Sequence, residues 1–349
     1  MRSLGLLLVA TALVGCGGDT DPSGKTRTFR MGFSAIPPRQ DLVLQNLELW
    51  SQRADAAILH VSVPYAKLLA GMSPSSIIAG DIQAVVNYHR GKHQEIAITL
   101  DLTDGLNRAA EAPELVSLGR SLTEPIVQQR VTEFALAVSS QIHPAWLGLA
   151  AETNLIRAVA PAALYSAVRN TANVTAAALR TANTTSDLFV SVQVEVAWGW
   201  VTPAHAYVGI AQDLQDFPFA ELLGLSSYPY FVYSDPSAIP ADYYSRIRTE
   251  AAKPVMVVEG GWTSRNVGQI VSTEAVQRNY LVRQAALLDR AGALLVVQLT
   301  FADFDVAALP PPVPENLGPF VYLGLVNASL QPKPALAAWD SVFHIPLKQ

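Results

Sequence analysis

The segment PVMVVEGGW, residues 254–262, is an unbroken apolar run that ends in Glu259, two glycines and a tryptophan. It is followed by residues 273–292, TEAVQRNYLVRQAALLDRAG, which have the spacing of a helix, and then by a second apolar run, ALLVVQLTF, residues 293–301. Apolar runs without alternation are typical of parallel strands that are buried on both faces. The three segments therefore predict a strand–helix–strand unit.

The same unit repeats along the chain. The predicted strands cover residues 29–35, 56–63, 95–101, 146–152, 187–195, 221–228, 254–259 and 293–301. The predicted helices cover residues 39–53, 75–90, 123–142, 161–182, 204–216, 242–252, 273–292 and 333–343. Eight such units predict an α/β protein with a single (β/α)8 barrel. A doubly wound open sheet is the alternative, but no glycine-rich phosphate loop follows the first strand. Thr123 is the predicted N-cap of the third helix, with Pro125 in its first turn.

Composition limits the classes of partner. The 349 residues are 50% hydrophobic and 15% charged, which predicts a large buried core. The net charge is −5 and no block of Lys or Arg occurs, which argues against nucleic acid as a partner. No residues have metal-ligand spacing, so neither a metal nor another cofactor is predicted. The sequence carries no signal for an oligomeric state.

The N-terminus reads as a targeting signal. MRSLGLLLVATALVGC, residues 1–16, has an early Arg, a short apolar run and small residues before Cys16. This pattern resembles a bacterial lipobox, which implies a signal peptide, a lipidated Cys16 and attachment to the membrane of a bacterial cell envelope. A plain secretory peptide is the alternative. Residues 17–28 are polar and Gly-rich and predict a flexible tether, so the barrel domain is expected to cover residues 29–349.

Several predicted strands end in acidic or hydroxyl-bearing residues. The third to seventh strands end in or near Asp101, Glu152, Glu195, Tyr228 and Glu259, and the eighth is followed by Asp303 and Asp305. A (β/α)8 barrel has its active site at the C-terminal ends of the strands. An isolated buried carboxylate is costly, so Glu152 and Glu259 are predicted to be functional. Two carboxyl groups across a barrel mouth suit hydrolysis of a glycosidic bond, one as proton donor and one as nucleophile.

This arrangement resembles the glycoside hydrolases of clan A, which are retaining enzymes on a (β/α)8 barrel. LGLAAETN places Glu152 where these enzymes have their acid/base glutamate, and VVEGGW places Glu259 where they have their nucleophile. GLSSYPYF places Tyr228 where they often have a tyrosine that hydrogen-bonds the nucleophile. The closing segment, residues 322–339, is also similar to the ends of such barrels. Endo-β-1,4-galactanases and β-1,3-glucanase-like enzymes look nearest, which implies a β-linked carbohydrate substrate.

Two positions depart from the pattern of the clan. Ala151 stands where an asparagine usually holds the sugar 2-hydroxyl, and Phe301 stands where the eighth strand usually presents a tryptophan. Aromatic and polar side chains at a barrel mouth suit sugar binding. The predicted substrate-binding residues are Asn154, Trp198, Trp200, Tyr230, Trp262, Phe301 and Asp303. Gly260 and Gly261 are predicted to let the chain turn and to leave room for a sugar.

Less specific interpretations stay open. Glu259 is alternatively a strand-end acid paired with an arginine, and Glu152 an acid at a helix N-terminus. Glu195 is a reserve candidate for the catalytic pair. At the level of the protein, the alternatives are a catalytically inactive glycan-binding barrel and a barrel enzyme with a non-carbohydrate substrate. The latter would need a metal cage or a phosphate-binding loop.

Overall fold

Eight parallel strands close into a barrel in chain order. The computed structural model describes residues 26–201, 205–309 and 311–348. The strands are β1 (Arg30–Ser34), β2 (Ala56–Ser62), β3 (Glu95–Asp101), β4 (Trp146–Gly148), β5 (Asp187–Gln193), β6 (Leu222–Ser227), β7 (Val255–Gly260) and β8 (Leu295–Gln298). The prediction of a single (β/α)8 barrel is confirmed, and the open sheet is excluded because β1 pairs with β8.

Helices surround the barrel. They are α1 (Val43–Ser51), α2 (Tyr65–Leu69), α3 (Pro74–Asp81), α4 (Gln83–Gly91), α5 (Pro113–Ser117), α6 (Pro125–Ile142), α7 (Thr153–Val159), α8 (Ala162–Thr181), α9 (Val194–Ala197), α10 (Ala211–Asp216), α11 (Ser245–Ala251), α12 (Glu274–Ala291) and α13 (Pro334–Phe343). Short 3-10 turns cover Gln40–Leu42, Pro229–Phe231, Pro236–Ala238, Val306–Ala308 and Glu315–Phe320.

Strand side chains alternate between two buried layers. In β2, Ala56 and Ile58 belong to a cluster that fills the lumen of the barrel. Their neighbours Ala57 and Leu59 belong to the larger layer between strands and helices. Because both faces are buried, the strands read in the sequence as continuous apolar runs, which is why they are predictable.

Most helix boundaries differ from the prediction. The helix predicted over 204–216 is wrong in its first half, because α10 begins only at Ala211. Two other differences have clear local reasons. The predicted helix over 75–90 is interrupted at Ile82, whose φ of −120° separates α3 from α4. Glu124, not Thr123, is the N-cap of α6. The residue before a proline avoids the helical region, and Glu124 is accordingly extended, with φ −79° and ψ 129°, before Pro125.

Three strands end two to four residues earlier than predicted. The strand β4 stops at Gly148, β5 at Gln193 and β8 at Gln298. Glu152 and Glu195 therefore lie on the segments that follow their strands and not within the sheet.

The base of the barrel joins the two ends of the described chain. Arg27 forms a β-bridge with Leu347, and its guanidinium donates to Asp55 at 2.8 Å. The predicted signal peptide, its Cys16 and most of the tether lie outside the described residues. The tether prediction is wrong at its end, because Arg27 is only 4% exposed and is part of the barrel. Within the described ranges, no helix combines the length and apolar character needed to cross a bilayer.

Candidate active site

A β-bulge turns Glu259 toward the mouth. In β7, Val258 belongs to the lumen cluster, so strict alternation would turn the next residue, Glu259, to the outer layer. The register between β6 and β7 shifts at this point, since Leu225 opposes Val257 but Ser226 opposes Glu259. Bulges of this kind re-aim side chains beside active sites. The Glu259 carboxylate consequently faces the space above the strands.

The Glu259 carboxyl group has two neighbours in the mouth. The Tyr228 hydroxyl donates to its Oε1 at 2.5 Å, and Nε2 of His60 lies 3.8 Å from its Oε2. Burial, together with the nearby charge of Glu152, raises the pKa of Glu259 to about 7, against the opposing effects of Arg108 and the Tyr228 hydrogen bond. Burial lowers the pKa of His60 to about 4, so its imidazole is neutral near pH 7 and adds no positive charge beside Glu259.

Glu152 sits just before α7 in a left-handed backbone conformation, with φ 49° and ψ 47°. Its N–H donates to Ser191 Oγ at 2.9 Å. Its Oε1 accepts from Ser226 Oγ at 2.6 Å, and its Oε2 accepts from Nε of Arg108 at 2.8 Å. Left-handed backbone at a non-glycine residue costs on the order of 1–2 kcal/mol and is concentrated at functional sites. Glu152 occupies the N-cap position of α7, so the prediction of an acid at a helix N-terminus is confirmed, although its side chain makes no capping hydrogen bond.

Sequence reasoning misses Arg108, which lies in the loop after β3. Its Nη1 donates to both carboxylate oxygens of Asp101 at 2.7 Å, while its Nε holds Glu152. Burial opposes its charge, but Asp101 and Glu152 raise the pKa of Arg108 above its usual value. The sequence indicated that some cation lies here, because the strand-end acids Asp101 and Glu152 require a compensating charge if they are buried. Nothing in the loop sequence indicates which cation supplies it.

Glu195, the reserve candidate, lies beneath the site and not in it. It is on the single-turn helix α9, and its Oε1 accepts from the Tyr228 N–H at 2.8 Å and from the Tyr243 hydroxyl at 2.7 Å. Burial raises the pKa of Glu195 to about 7. Its carboxyl group fixes the backbone of Tyr228, whose hydroxyl in turn reaches Glu259.

Two adjoining hollows meet at Glu259. The first hollow, of about 220 Å³, is lined by Ile36, His60, Ser62, Asp101, Gly105, Leu106, Arg108, Glu259, Leu299, Phe304, Leu317 and Phe320. The second hollow, of about 250 Å³, is lined by Gly105, Leu106, Arg108, Glu152, Leu155, Gln193, Trp200, Tyr228, Phe231, Glu259, Asn316, Pro319 and Phe320. Both glutamates of the predicted pair and Tyr228 therefore border the second hollow.

The loops after β3 and β8 meet over the mouth. The Asn316 side-chain amide donates to the Leu106 carbonyl at 3.1 Å. The ring of Phe320 meets the edge of Tyr228, with centroids 5.0 Å apart. Under this cover the Glu259 side chain is 16% exposed, which leaves it accessible to a ligand while keeping it mostly out of water.

Trp200 is the predicted stacking residue whose ring is open to a ligand. It is 37% exposed, and its ring lies parallel to that of Phe231 at 5.3 Å between centroids on the wall of the second hollow. Tyr230 is buried, and its hydroxyl donates to the Pro319 carbonyl at 3.1 Å. The prediction that Tyr230 contacts sugar is wrong, because its ring is buried and its hydroxyl anchors the loop after β8.

Three other aromatic predictions are wrong because the rings pack against other groups of the protein and do not line either hollow. Trp262 is 0% exposed and donates through Nε1 to Ser272. Trp198 packs flat on Tyr243 and donates to its carbonyl, away from both hollows. Phe301 lies beyond the end of β8 in the hydrophobic core. None of the three offers a ring face to a sugar in the mouth.

The two polar substrate-binding predictions are also wrong. Asn154 is buried, where its Nδ2 donates to the Gln193 carbonyl at 2.8 Å and its Oδ1 accepts from the Gln193 N–H at 2.7 Å. Asp303 is buried in an ion pair with Lys333 at 2.7 Å. Both side chains use their hydrogen-bonding capacity on the barrel itself, so neither replaces the asparagine absent at Ala151.

The glycines after Glu259 serve strand packing, so the prediction that they leave room for a sugar is wrong. A Cβ on Gly260 would lie 2.6 Å from the Ser227 carbonyl oxygen in the neighbouring strand. Gly261 has φ 154°, and a Cβ there would lie 2.7 Å from Nε2 of Gln298. At the bulged end of β7, the atoms of the neighbouring strands are therefore so close that only glycine fits at positions 260 and 261.

Replacing Gly260 by alanine is expected to lower the free energy of unfolding by about 1–3 kcal/mol, because the methyl group forces a backbone carbonyl to move. The midpoint of urea unfolding measures the effect. Gly80→Ala is the matched control, since Gly80 is in α3 with no atom within 4 Å of its Cβ position. That change is expected to stabilise the helix slightly. Equal midpoints for both variants would contradict the packing argument.

No group of three or more His, Cys, Asp or Glu side chains could hold a metal ion in the part of the chain that the structure describes. The phosphate-binding alternative also lacks support in the described ranges. The segment GGWTSRN, residues 260–266, is a poor match to a phosphate-binding loop, and its Arg265 lies over the ring of Tyr322 at 5.0 Å from the centroid.

Comparison with known proteins rests on structure. Neither a family profile nor a curated protein sequence matches this chain. The exo-β-1,4-mannosidase Op5Man5 from Opitutaceae bacterium strain TAV5 has a TM-score of 0.67 at 14% identity, over 95% of this chain and 62% of that one. A GH5_18 protein from Bifidobacterium longum, solved with Manβ1-4GlcNAc, has a TM-score of 0.62 at 14% identity, over 92% and 80%.

Xylanase 10B from Thermotoga maritima has a TM-score of 0.59 at 11% identity, over 90% of this chain and 95% of that one. This chain has the barrel fold of these glycoside hydrolases. The chain spans less than two thirds of the mannosidase, which is the longer protein. At sequence identities of 11–14%, the likeness shows the barrel fold alone.

Proposed function

We propose that this protein is a retaining glycoside hydrolase that cleaves β-glycosidic bonds in an oligosaccharide or polysaccharide. The observation that carries the proposal is the hydrogen bond of 2.5 Å from Tyr228 to Glu259, on the wall of a hollow that Glu152 also lines. The structural likeness to a mannosidase and a xylanase supports a carbohydrate substrate. The proposal assigns Glu259 as nucleophile, Glu152 as acid/base and Tyr228 as the residue that orients Glu259.

In the first step, the Glu259 carboxylate attacks the anomeric carbon while Glu152 gives its proton to the leaving oxygen. The bond to the leaving group breaks, a glycosyl ester forms on Glu259, and the leaving group departs as an alcohol. In the second step, Glu152 takes a proton from water, which attacks the same carbon and frees Glu259. Two displacements leave the anomeric configuration unchanged.

Contacts in the mouth fit particular stages of this cycle. Tyr228 occupies Oε1 of Glu259, which leaves Oε2 for the anomeric carbon. The ion pair with Arg108 suits Glu152 as a carboxylate, the form that acts as base in the second step. The first step requires Arg108 to release Glu152. Asp101, which already accepts two hydrogen bonds from Arg108, would hold the guanidinium in that state.

The pH dependence of kcat/KM tests the assignment of Glu259. A nucleophile must be ionised, and the raised pKa of Glu259, about 7, means that its ionised fraction grows as pH increases through 7. We therefore expect kcat/KM to rise roughly tenfold per pH unit as pH increases toward this pKa. Initial rates at low substrate concentration between pH 5 and about 8 provide the measurement. Activity that falls across this window would instead assign the proton-donor role to Glu259.

The stereochemistry of the product tests the reaction class. The protein is incubated with β-mannan, xylan, β-galactan and β-glucan oligosaccharides, and the first anomer released is followed by ¹H NMR. We expect the β-anomer first, with the α-anomer appearing only by mutarotation. Release of the α-anomer first would exclude retention, and no release from any β-glycoside would exclude the hydrolase proposal.

A second candidate function, glycan binding without hydrolysis, is favoured by one observation. Arg108 holds Oε2 of Glu152 at 2.8 Å, and Ala151 supplies no amide for the sugar 2-hydroxyl. This candidate predicts sugar binding that is equal in the natural protein and in Glu259→Gln, with no turnover by either. Hydrolysis that disappears in Glu259→Gln would exclude it.

We also propose that Cys16 is lipidated and anchors the protein in a bacterial cell envelope. Support comes from the apolar run and small residues that precede Cys16. Metabolic labelling with a palmitate analogue is expected to mark the natural protein and not Cys16→Ser. Equal release of both proteins into the soluble envelope fraction would support the plain secretory peptide instead.

A further inference from the structure

A third space, the outer cavity, lies between β2 and the helices that cover it. Its volume is about 270 Å³. Leu59 and Val61 form its floor on β2, and Ile77, Val85 and Phe134 contribute walls from α3, α4 and α6. None of these side chains takes part in the proposed reaction.

The outer cavity offers little to sugar hydroxyls. Its polar residues are His60, Ser62 and Asp81. Nδ1 of His60 is hydrogen-bonded to Ser34 at 3.0 Å, its Nε2 lies 3.8 Å from Oε2 of Glu259, and Asp81 is ion-paired with Lys67. The Ser62 hydroxyl is then the polar group left to meet a ligand among the residues that line the outer cavity. Hydroxyls moved from water into such a space without partners would cost free energy, whereas aliphatic groups would gain it. The wall chemistry therefore selects an apolar group.

The outer cavity adjoins the reaction centre. Ile36, His60 and Ser62 line both the outer cavity and the first hollow, and Glu259 lines the first hollow. These three residues therefore form the boundary between the two spaces, which places the outer cavity one side chain away from the hollow that contains Glu259.

The opposite side of Glu259 has the chemistry of a sugar site. The second hollow contains the exposed ring of Trp200 and the side chains of Gln193 and Asn316. Oε1 of Gln193 is buried and has no hydrogen-bond partner within the described ranges, so it is free to accept from a sugar hydroxyl. The two sides of the nucleophile thus differ, with polar and aromatic groups on one and aliphatic groups on the other.

We infer that the protein also hydrolyses β-glycosides of apolar alcohols, with the sugar in the second hollow and the alkyl chain of the leaving group in the outer cavity. The inference rests on the proposed function and extends its substrate class. The bonds made and broken are those already given. The glycosidic oxygen leaves with the alkyl chain and a proton from Glu152, and water supplies the oxygen and hydrogen that complete the free sugar.

Binding of primary alcohols tests the cavity without any catalysis. Butanol to decanol are titrated into the natural protein, and their dissociation constants are measured by saturation-transfer NMR. Each added methylene is expected to tighten binding about fourfold until the cavity is full, which corresponds to about 0.8 kcal/mol per methylene. Affinity that does not change with chain length would overturn the inference.

Variants locate the binding. Val85→Leu and Val85→Trp place progressively larger side chains in the outer cavity from α4. Octanol binding is expected to weaken in both variants, and by at least tenfold in Val85→Trp. Val282→Trp is the matched control, because Val282 is a helical valine, 53% exposed, that does not line the cavity. Thermal melting verifies that each variant is folded. Equal octanol binding by Val85→Trp and Val282→Trp would place the alcohol elsewhere and overturn the inference.

Hydrolysis of alkyl β-glycosides from methyl to decyl separates this inference from the proposed function. We expect kcat/KM to rise with chain length and to lose that dependence in Val85→Trp, while hydrolysis of the methyl glycoside stays unchanged. Hydrolysis of all chain lengths at one rate would retain the hydrolase and reject the apolar site. Alcohol binding that depends on Val85, together with no hydrolysis of any glycoside, would retain the site and reject the hydrolase.

Discussion

Glu259→Gln is expected to lower kcat/KM by about 10⁴-fold or more and to leave sugar binding nearly unchanged. The amide of glutamine cannot form the glycosyl ester, and removing a nucleophile typically costs factors of this size or larger. Its carbonyl oxygen still accepts from Tyr228, so the shape of the second hollow is kept. Reducing-sugar release gives the rate, and calorimetric titration with the same oligosaccharide gives the affinity.

Glu133→Gln controls for the loss of a carboxylate as such. Glu133 is exposed on α6 and pairs with Arg130 at the surface. Its replacement is expected to change neither rate nor affinity.

A second, more specific test uses Glu259→Ala with azide. Azide then occupies the place of the lost carboxylate, so a β-glycoside should give the α-glycosyl azide. Natural-like activity of Glu259→Gln would exclude Glu259 as nucleophile.

The second large effect is expected on stability, from Arg108→Met. Arg108 is the shared cation of Asp101 and Glu152, and its side chain is 5% exposed. Removing one partner of a buried ion pair leaves an uncompensated charge and typically costs about 3–5 kcal/mol. We expect a loss of that size in the free energy of urea unfolding.

Two comparisons make this measurement specific. Arg130→Met removes a surface arginine, and exposed pairs contribute about 0–1 kcal/mol, so its unfolding midpoint should scarcely move. Adding Glu152→Gln to Arg108→Met removes one of the stranded charges and is expected to recover part of the loss. An Arg108→Met protein as stable as Arg130→Met would show that water or another group already neutralises the two acids.

The barrel was predictable because its strands are buried on both faces. In residues 95–101 the apolar residues Ile96, Ala97 and Ile98 follow one another without alternation, and the structure has β3 at the predicted bounds. Tyr228 and Glu259 were predictable as a pair for the same reason, because consecutive parallel strands deliver their ends to one place. Their hydrogen bond was implied by the resemblance to the clan A enzymes, and it also requires the bulge that turns Glu259 toward the mouth.

The remainder of the site depends on geometry that no local pattern encodes. Arg108 is seven residues past Asp101 in a loop without periodicity, and its contact with Glu152 spans 44 positions. Trp262 and Trp200 both follow strands closely, yet one is buried and the other exposed. Which way a ring turns after a strand depends on the loops it meets. For Glu259 even the face of the strand depends on the bulge in β7.

The β-bridge between Arg27 and Leu347, with a hydrogen bond from the Lys348 N–H to the Arg27 carbonyl at 2.9 Å, brings both ends of the described chain together beneath the barrel. Anything fused to either end, whether a second domain, a surface or a purification tag, is attached on the side away from the mouth. The ends are also close enough for a short peptide to join them. Circular permutants opened at an exposed loop are therefore a practical way to turn the mouth toward a chosen fusion partner.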